Sequence, residues 1–213
     1  MCIFSKPPIA GEVKTRLIPA LRSSAAAELA GAMLLDAWST VMRSPGFRPI
    51  LATTRPGDFP VRAPAEDIWL QGEGDLGQRI ERILTRALLD AKAAVALGAD
   101  SPALTPTHLA AALASLELHD AAIGPASDGG FYLLAIRKCH PNLFCDLPWS
   151  NSKTRQALRA RLEQFRWSIA ELEPLFDVDT PADLEKLDEF LIANPSLAPA
   201  SRACRLQNRG SFC

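Results

Sequence analysis

The chain has 213 residues, a formal net charge of −1, 48% hydrophobic and 22% charged residues. That balance supports a sizeable core and excludes wholesale disorder, and the lack of a basic excess argues against a nucleic-acid binder. No apolar run approaches the length of a membrane span. Met1 opens into CIFSK without the regions of a secretory signal, so a cytoplasmic protein is expected.

Short apolar runs alternate with Ala- and Leu-rich segments. CIF (2–4) reads as a strand stub, and 23–43 as a helix capped by Ser23 or Ser24. RPILATT (48–54) and DIWLQ (67–71) read as strands, and 76–91 as a helix. AKAAVALGA (91–99) is ambiguous by periodicity alone, and its place between a helix and Asp100 favours a buried strand. A helix over 106–117 follows, with Thr105 as cap and Pro106 in first position. DAAIGPA (120–126) and FYLLAIR (131–137) are strands on either side of Gly129-Gly130. Residues 152–164 form a helix with Ser150, Asn151 or Ser152 as cap, and Thr180-Pro181-Ala182-Asp183 starts another. This alternation predicts an α/β fold of βαβ units around a mostly parallel sheet, with ligands at the carboxyl ends of strands. Residues 1–193 read as one domain, and 194–213, without periodicity, as a loose tail. Trp149 and Trp167 are core or interface residues, with the core favoured.

The five cysteines include no CxxC pair, and with three histidines a zinc site is not supported. Other stretches offer chemistry. In PPIAGEVKTRL (7–17), Gly11 permits a close turn, and Lys14 and Arg16 are either phosphate ligands or solvated charges. QGEGDLGQR (71–79) matches GxGxxG formally through Gly72, Gly74 and Gly77. Glu73 and Asp75 would repel a pyrophosphate, so dinucleotide binding is rejected and a pocket-shaping loop remains. Asp100 leaves a strand end as either a turn residue or a ligand for magnesium or manganese. Asp128 before Gly129 and Gly130 is either a hairpin residue or a partner for a sugar hydroxyl. Asp177 and Asp179 would face one side if extended. They are acidic turn residues or the completion of a metal site, since Thr180 can cap the next helix.

Five stretches in order, Pro8 to Leu17, DLGQR, GADSPALT, GPASDGGFYLL and FDVDTPADL, resemble a bacterial family of glycosyltransferase-like proteins, DUF2064, over roughly residues 2–190. That family is similar to GT-A nucleotide-diphospho-sugar transferases and to small guanylyltransferases. The resemblance implies a GT-A, Rossmann-like three-layer sandwich with a mostly parallel mixed sheet, binding a nucleotide through Mg2+ or Mn2+. By position it implies that Gly11, Lys14 and Arg16 meet nucleotide phosphates, that Asp100 binds metal with Asp179 as a second acid, and that Asp128, Gly129 and Gly130 line the donor or acceptor pocket. Gly77, in DLGQR, joins the candidate substrate-binding set. Ala103 and Ser127 stand where the family often has acids, which leaves Asp100 alone in its loop.

The leading expectation is a metal-dependent transferase with a nucleotide-sugar donor and an unknown acceptor, in which Lys14 and Arg16 neutralise the leaving diphosphate and Asp128 serves the acceptor hydroxyl. The alternatives are a nucleotidyltransferase using a nucleoside triphosphate and a small phosphorylated substrate, or an inactive nucleotide-binding module.

Overall fold

The strand at Cys2–Ser5 (β1) begins with two fully buried residues, Cys2 and Ile3. A segment with no face turned to water belongs in the middle of a sheet. A computed structural model describing residues 1–209 places it there. The others are β2 (Ile50–Thr53), β3 (Ile68–Leu70), β4 (Ala94–Gly98), β5 (Ala121–Pro125), β6 (Phe131–Ile136) and β7 (Ile169–Glu171). Their order is β3-β2-β1-β4-β6-β5-β7. Every pairing is parallel except those of β6, which runs antiparallel to β4 and to β5.

Alternate side chains serve opposite faces, as the pleat requires. Val95 and Leu97 join the core beneath α1 (Ser23–Met42) and α3 (Pro106–Leu118), with Leu34, Trp38, Leu109 and Leu116. Ala94 and Ala96 face the core beneath α2 (Leu76–Ala87) and α4 (Thr154–Gln164), with Ile80, Leu84, Leu158 and Leu162. The sheet is therefore covered by helices on both sides, the α/β sandwich expected from the alternation.

α1 is apolar on a second side as well. Its Ala26, Leu29 and Met33 pack with Leu184 and Leu187 of α5 (Pro181–Ala193) and Cys204 of α6 (Pro199–Arg209). α6 corrects the expectation of a loose tail: residues 199–209 are helical, and 210–213 lie outside the described residues. The buried carboxylate of Asp36 on α1 fastens this helix. It accepts from the Ala200 amide at 2.9 Å, the Ser201 amide at 2.8 Å and the Ser201 hydroxyl at 2.7 Å. An acid from another helix thus satisfies amides at the start of α6 that have no intrahelical partner.

Other expectations shift locally. β7 is an edge strand of three partly exposed residues that no apolar run announces. α1 is capped by Arg22 without a side-chain bond, so Ser23 and Ser24 lie inside the helix. α4 starts at Thr154 after Lys153, whose amide donates to Asn151 Oδ1 at 2.9 Å. The expected starts at Pro106 and Pro181 hold. Among the described residues, no helix is long and apolar enough to cross a membrane.

Candidate functional site

β2 and β3 lie on one side of β1, and the chain then returns to place β4 on the other. The strand order reverses between β1 and β4, and their carboxyl ends open a crevice there. The loop after β1 and the Asp100 loop after β4 both enter it.

The first loop turns at Gly11 (φ 83°), where a Cβ would meet nothing within 4 Å, so backbone conformation alone calls for glycine. Lys14 then adopts a left-handed conformation (φ 47°, ψ 40°), uncommon for a residue with a side chain. Its side chain turns inward and is only 12% exposed. Lys14 Nζ stands 2.8 Å from Asp100 Oδ2 and 3.4 Å from Asp179 Oδ1. Arg16 Nη1 donates to Asp179 Oδ2 at 2.8 Å. A local strain of this kind persists only where the surroundings hold it, here through two carboxylates from distant parts of the chain.

Burial alone would lower the Lys14 pKa, yet Asp100 and Asp179 together hold it above its ordinary value. Burial would likewise raise Asp100, and the Lys14 ammonium outweighs it, keeping the carboxylate below its usual range. Asp177 behaves oppositely. Burial, with the neighbouring charges of Asp128 and Asp100, pushes it up to about 6. The segment carrying Asp177 and Asp179 is tied to the Asp100 loop by the Val178 amide, which donates to the Asp100 carbonyl at 3.1 Å.

Asp128 occupies a turn of its own. Its Oδ1 accepts from the Gly130 amide at 2.7 Å, and Gly129 (φ 91°) passes directly against the backbone of Ser152. A Cβ on Gly129 would overlap the Ser152 carbonyl oxygen and stand 2.6 Å from its carbonyl carbon. The Arg155 amide donates to the Gly129 carbonyl at 3.0 Å, which fixes this turn to the start of α4. Ser127 anchors the turn through the Leu175 carbonyl, which accepts from its amide at 3.0 Å and its hydroxyl at 3.2 Å.

Two hollows meet at Asp100 and Asp179. The first, about 370 Å³, lies along the loop after β1, with Lys6, Lys14 and Arg16 on its walls and Phe4, Val13, Ala30 and Met33 as its apolar side. The second, about 330 Å³, extends past Asp128 and Asp177 to Phe131, Trp149 and Asn151. The structure thus brings together Lys14, Arg16, Asp100 and Asp179, with Asp128 and Gly130 on the wall of the second hollow. Gly11 and Gly129 shape the loops from behind.

Gly77, like Gly11 and Gly129, lines neither hollow. Buried in the first turn of α2, it would place a Cβ 2.5 Å from the Phe144 carbonyl oxygen and 3.1 Å from Trp149 Cζ2. Its bareness lets α2 approach that loop closely. Asp75, in the same motif, caps α2 by accepting from the Gln78 amide at 2.9 Å. Trp167 is buried in the core, whereas Trp149 packs against that core half-buried and also forms part of the cavity wall. The one available signal was its setting, PWSNSK, a tryptophan followed by a polar run rather than held inside an apolar one.

Among the described residues, no three Asp, Glu, His or Cys side chains stand close enough to form a ready-made metal site. Asp100 and Asp179 instead converge on the Lys14 ammonium. Ala103 packs on the core, so the second acid comes from the far end of the chain rather than from the Asp100 loop.

The family model described as "Uncharacterized protein conserved in bacteria (DUF2064)" matches residues 39–151, just over half of the chain. The chain belongs to DUF2064. The match includes Asp100, Asp128, Gly129 and Gly130; Lys14, Arg16 and Asp179 join the site through geometry. No curated protein sequence matches this DUF2064 chain. It is similar to the crystal structure of a candidate nucleotide-diphospho-sugar transferase from Desulfovibrio desulfuricans G20. That likeness has a TM-score of 0.85 at 27% identity over 98% of this chain and 94% of the other. A cytidylyltransferase from Leptospira borgpetersenii serovar Hardjo-bovis (strain JB197) shares the fold with a TM-score of 0.57 at 13% identity, over 98% and 94% of the two chains. A CMP:2-keto-3-deoxy-manno-octonic acid synthetase complexed with CTP does so with a TM-score of 0.56 at 13% identity, over 91% and 98%. The DUF2064 chain thus has the fold of nucleotide-utilising transferases.

Proposed function

We propose that this protein is a metal-dependent transferase that takes a group from a nucleotide-activated donor, a nucleotide-diphospho-sugar. The Lys14 ammonium, gripped by Asp100 and Asp179 where the strand order reverses, carries this reading. A buried cation at that place, with Arg16 beside it, suits a diphosphate and little else that a surface loop would need. The apolar side of the first hollow suits a nucleobase. The name of the Desulfovibrio protein points the same way.

In the reaction, Lys14 and Arg16 would stabilise the charge that grows on the departing diphosphate. Asp128 lines the second hollow, and with Oδ1 committed to Gly130 its other oxygen is available to an acceptor hydroxyl. Asp100 and Asp179, on the border of both hollows, offer hard oxygens that would suit a magnesium or manganese ion completed by phosphate oxygens and water. Asp100 and Asp179 would hold that ion, which would supply further charge neutralisation at the diphosphate.

Titration with nucleoside diphosphates, triphosphates and nucleotide sugars, with and without magnesium or manganese, tests the proposal. Metal-dependent binding of one nucleotide sugar, with nucleoside diphosphate as the released product, is expected. Pyrophosphate release from a triphosphate would make the protein a nucleotidyltransferase instead. Binding of no nucleotide under any condition would remove the transferase reading.

A further inference from the structure

The two hollows differ in charge. The first sets Lys6, Lys14 and Arg16 against Glu12, Asp100 and Asp179, an even balance. The second is bordered by Asp100, Asp128, Asp177 and Asp179, with Arg16 as its one lining cation among the described residues, and the Arg16 guanidinium is bonded to Asp179. Its remaining surface is apolar or neutral. Phe131 and Trp149 meet edge to face with centroids 6.3 Å apart, and Leu76, 41% exposed, stands at the same cavity. The Trp149 indole N–H is shut off from solvent without a partner among the described residues, an unused donor on a residue of this wall. Asn151 adds a neutral side-chain amide.

We propose that the second hollow is the acceptor subsite, and that it takes an uncharged or amine-bearing hydroxyl compound with an apolar face while turning away phosphorylated acceptors. This rests on the transferase reading and narrows it. A flat apolar face packs on Trp149 and Phe131, as sugar rings and aryl groups do on aromatic side chains. An amine gains from the surrounding carboxylates and from the ring faces. A phosphate ester would enter a wall of carboxylates whose cations are already engaged, Arg16 by Asp179 and the metal ion by the donor diphosphate. In transfer, the acceptor oxygen bonds to the anomeric carbon of the donor as the bond from that carbon to the diphosphate breaks. The hydroxyl proton passes to Asp128, and the nucleoside diphosphate leaves with the bonding pair.

Three matched probes test the inference: phenyl β-D-glucoside, its 6-phosphate and phenyl β-D-glucosaminide. Ligand-observed NMR would follow each in the presence of magnesium and the nucleoside diphosphate that binds best, with nucleotide affinity measured on the same samples. The glucoside or the glucosaminide should bind at least about tenfold more tightly than the phosphate. Trp149→Ala should weaken that probe by about tenfold or more with nucleotide affinity unchanged. Leu76→Lys, a change at an exposed position, should narrow the gap by admitting the phosphate. A phosphate probe that binds as well as its neutral partner overturns the inference, as does failure of all three probes while the nucleotide still binds. If the nucleotide itself does not bind, the transferase reading falls and takes the subsite with it.

Discussion

Gly129 and Gly11 both sit at positive φ, but only Gly129 is pressed against another segment, and alanine at each should separate the two costs. A side chain in the left-handed region costs roughly 1–2 kcal/mol, and Gly11→Ala meets nothing else. Gly129→Ala adds an overlap with the Ser152 backbone, whose carbonyl carbon would lie 2.6 Å from the new methyl against an ordinary contact of 3.4 Å or more. The Asp128 turn and the loop at 150–153 must then part by about 1 Å, an overpacking cost of roughly 1–3 kcal/mol. The totals are about 1–2 kcal/mol for Gly11→Ala and about 2–5 kcal/mol for Gly129→Ala. At roughly 2–4 °C per kcal/mol for a domain of this size, thermal unfolding should fall by roughly 4 °C and roughly 10 °C. A displacement of that size beside Asp128 should also lower acceptor-dependent turnover by about 100-fold, with nucleotide affinity retained, because Gly129 does not border the first hollow. Equal melting losses for the two variants would refute the clash, and unchanged turnover in Gly129→Ala would refute a fixed Asp128 turn.

Lys14→Met should reduce nucleoside diphosphate affinity by roughly 10- to 100-fold in calorimetry, the worth of a charged hydrogen bond; unchanged affinity would remove Lys14 from the phosphate site. Asp36→Ala strips α6 of three hydrogen bonds and should cost about 3 kcal/mol, read as a melting loss of roughly 9 °C and early proteolysis after residue 194. At Asp183, burial is outweighed by the hydroxyl and amide of Thr180, which with Lys186 bring the pKa from 3.8 to about 2. Its stabilisation, about 2 kcal/mol, is complete above about pH 4 and is lost as pH falls through 2. Asp183→Asn should therefore lower stability at pH 7 and flatten its acid limb; a denaturation series showing the same acid slope as wild type would contradict this.

The sandwich was legible because its buried strands and capped helices advertise themselves locally. Val95 and Leu97 alternate with alanines, and Pro106 and Pro181 mark helix starts. Asp100 stood out for a similar reason, a charge at the exit of an apolar strand. What escaped depends on partners far away in sequence. The start of α6 is satisfied by Asp36, from 164 residues earlier, so nothing within PASRACRLQNR announces its docking. Gly77 matched a phosphate-binding spacing, but the spacing cannot tell a glycine bared for a ligand from one bared for Phe144 and Trp149. The Lys14 conformation and the convergence of Asp179 on it are likewise properties of the assembled crevice.

The Lys14–Asp179 contact has a consequence for synthesis. The loop that carries Lys14 leaves the ribosome 165 residues ahead of Asp179, and Asp36 waits the same interval for Ser201. Central strand β1 can pair with β2 early and Lys14 can meet Asp100 86 residues on, yet its second carboxylate arrives only with Asp179. A product truncated before Asp179 could fold part of the sheet and still lack one of the two carboxylates that seat its own lysine. Assembly of the crevice thereby waits for residue 179, and a chain interrupted earlier would carry the Lys14 loop with one of its two anchors.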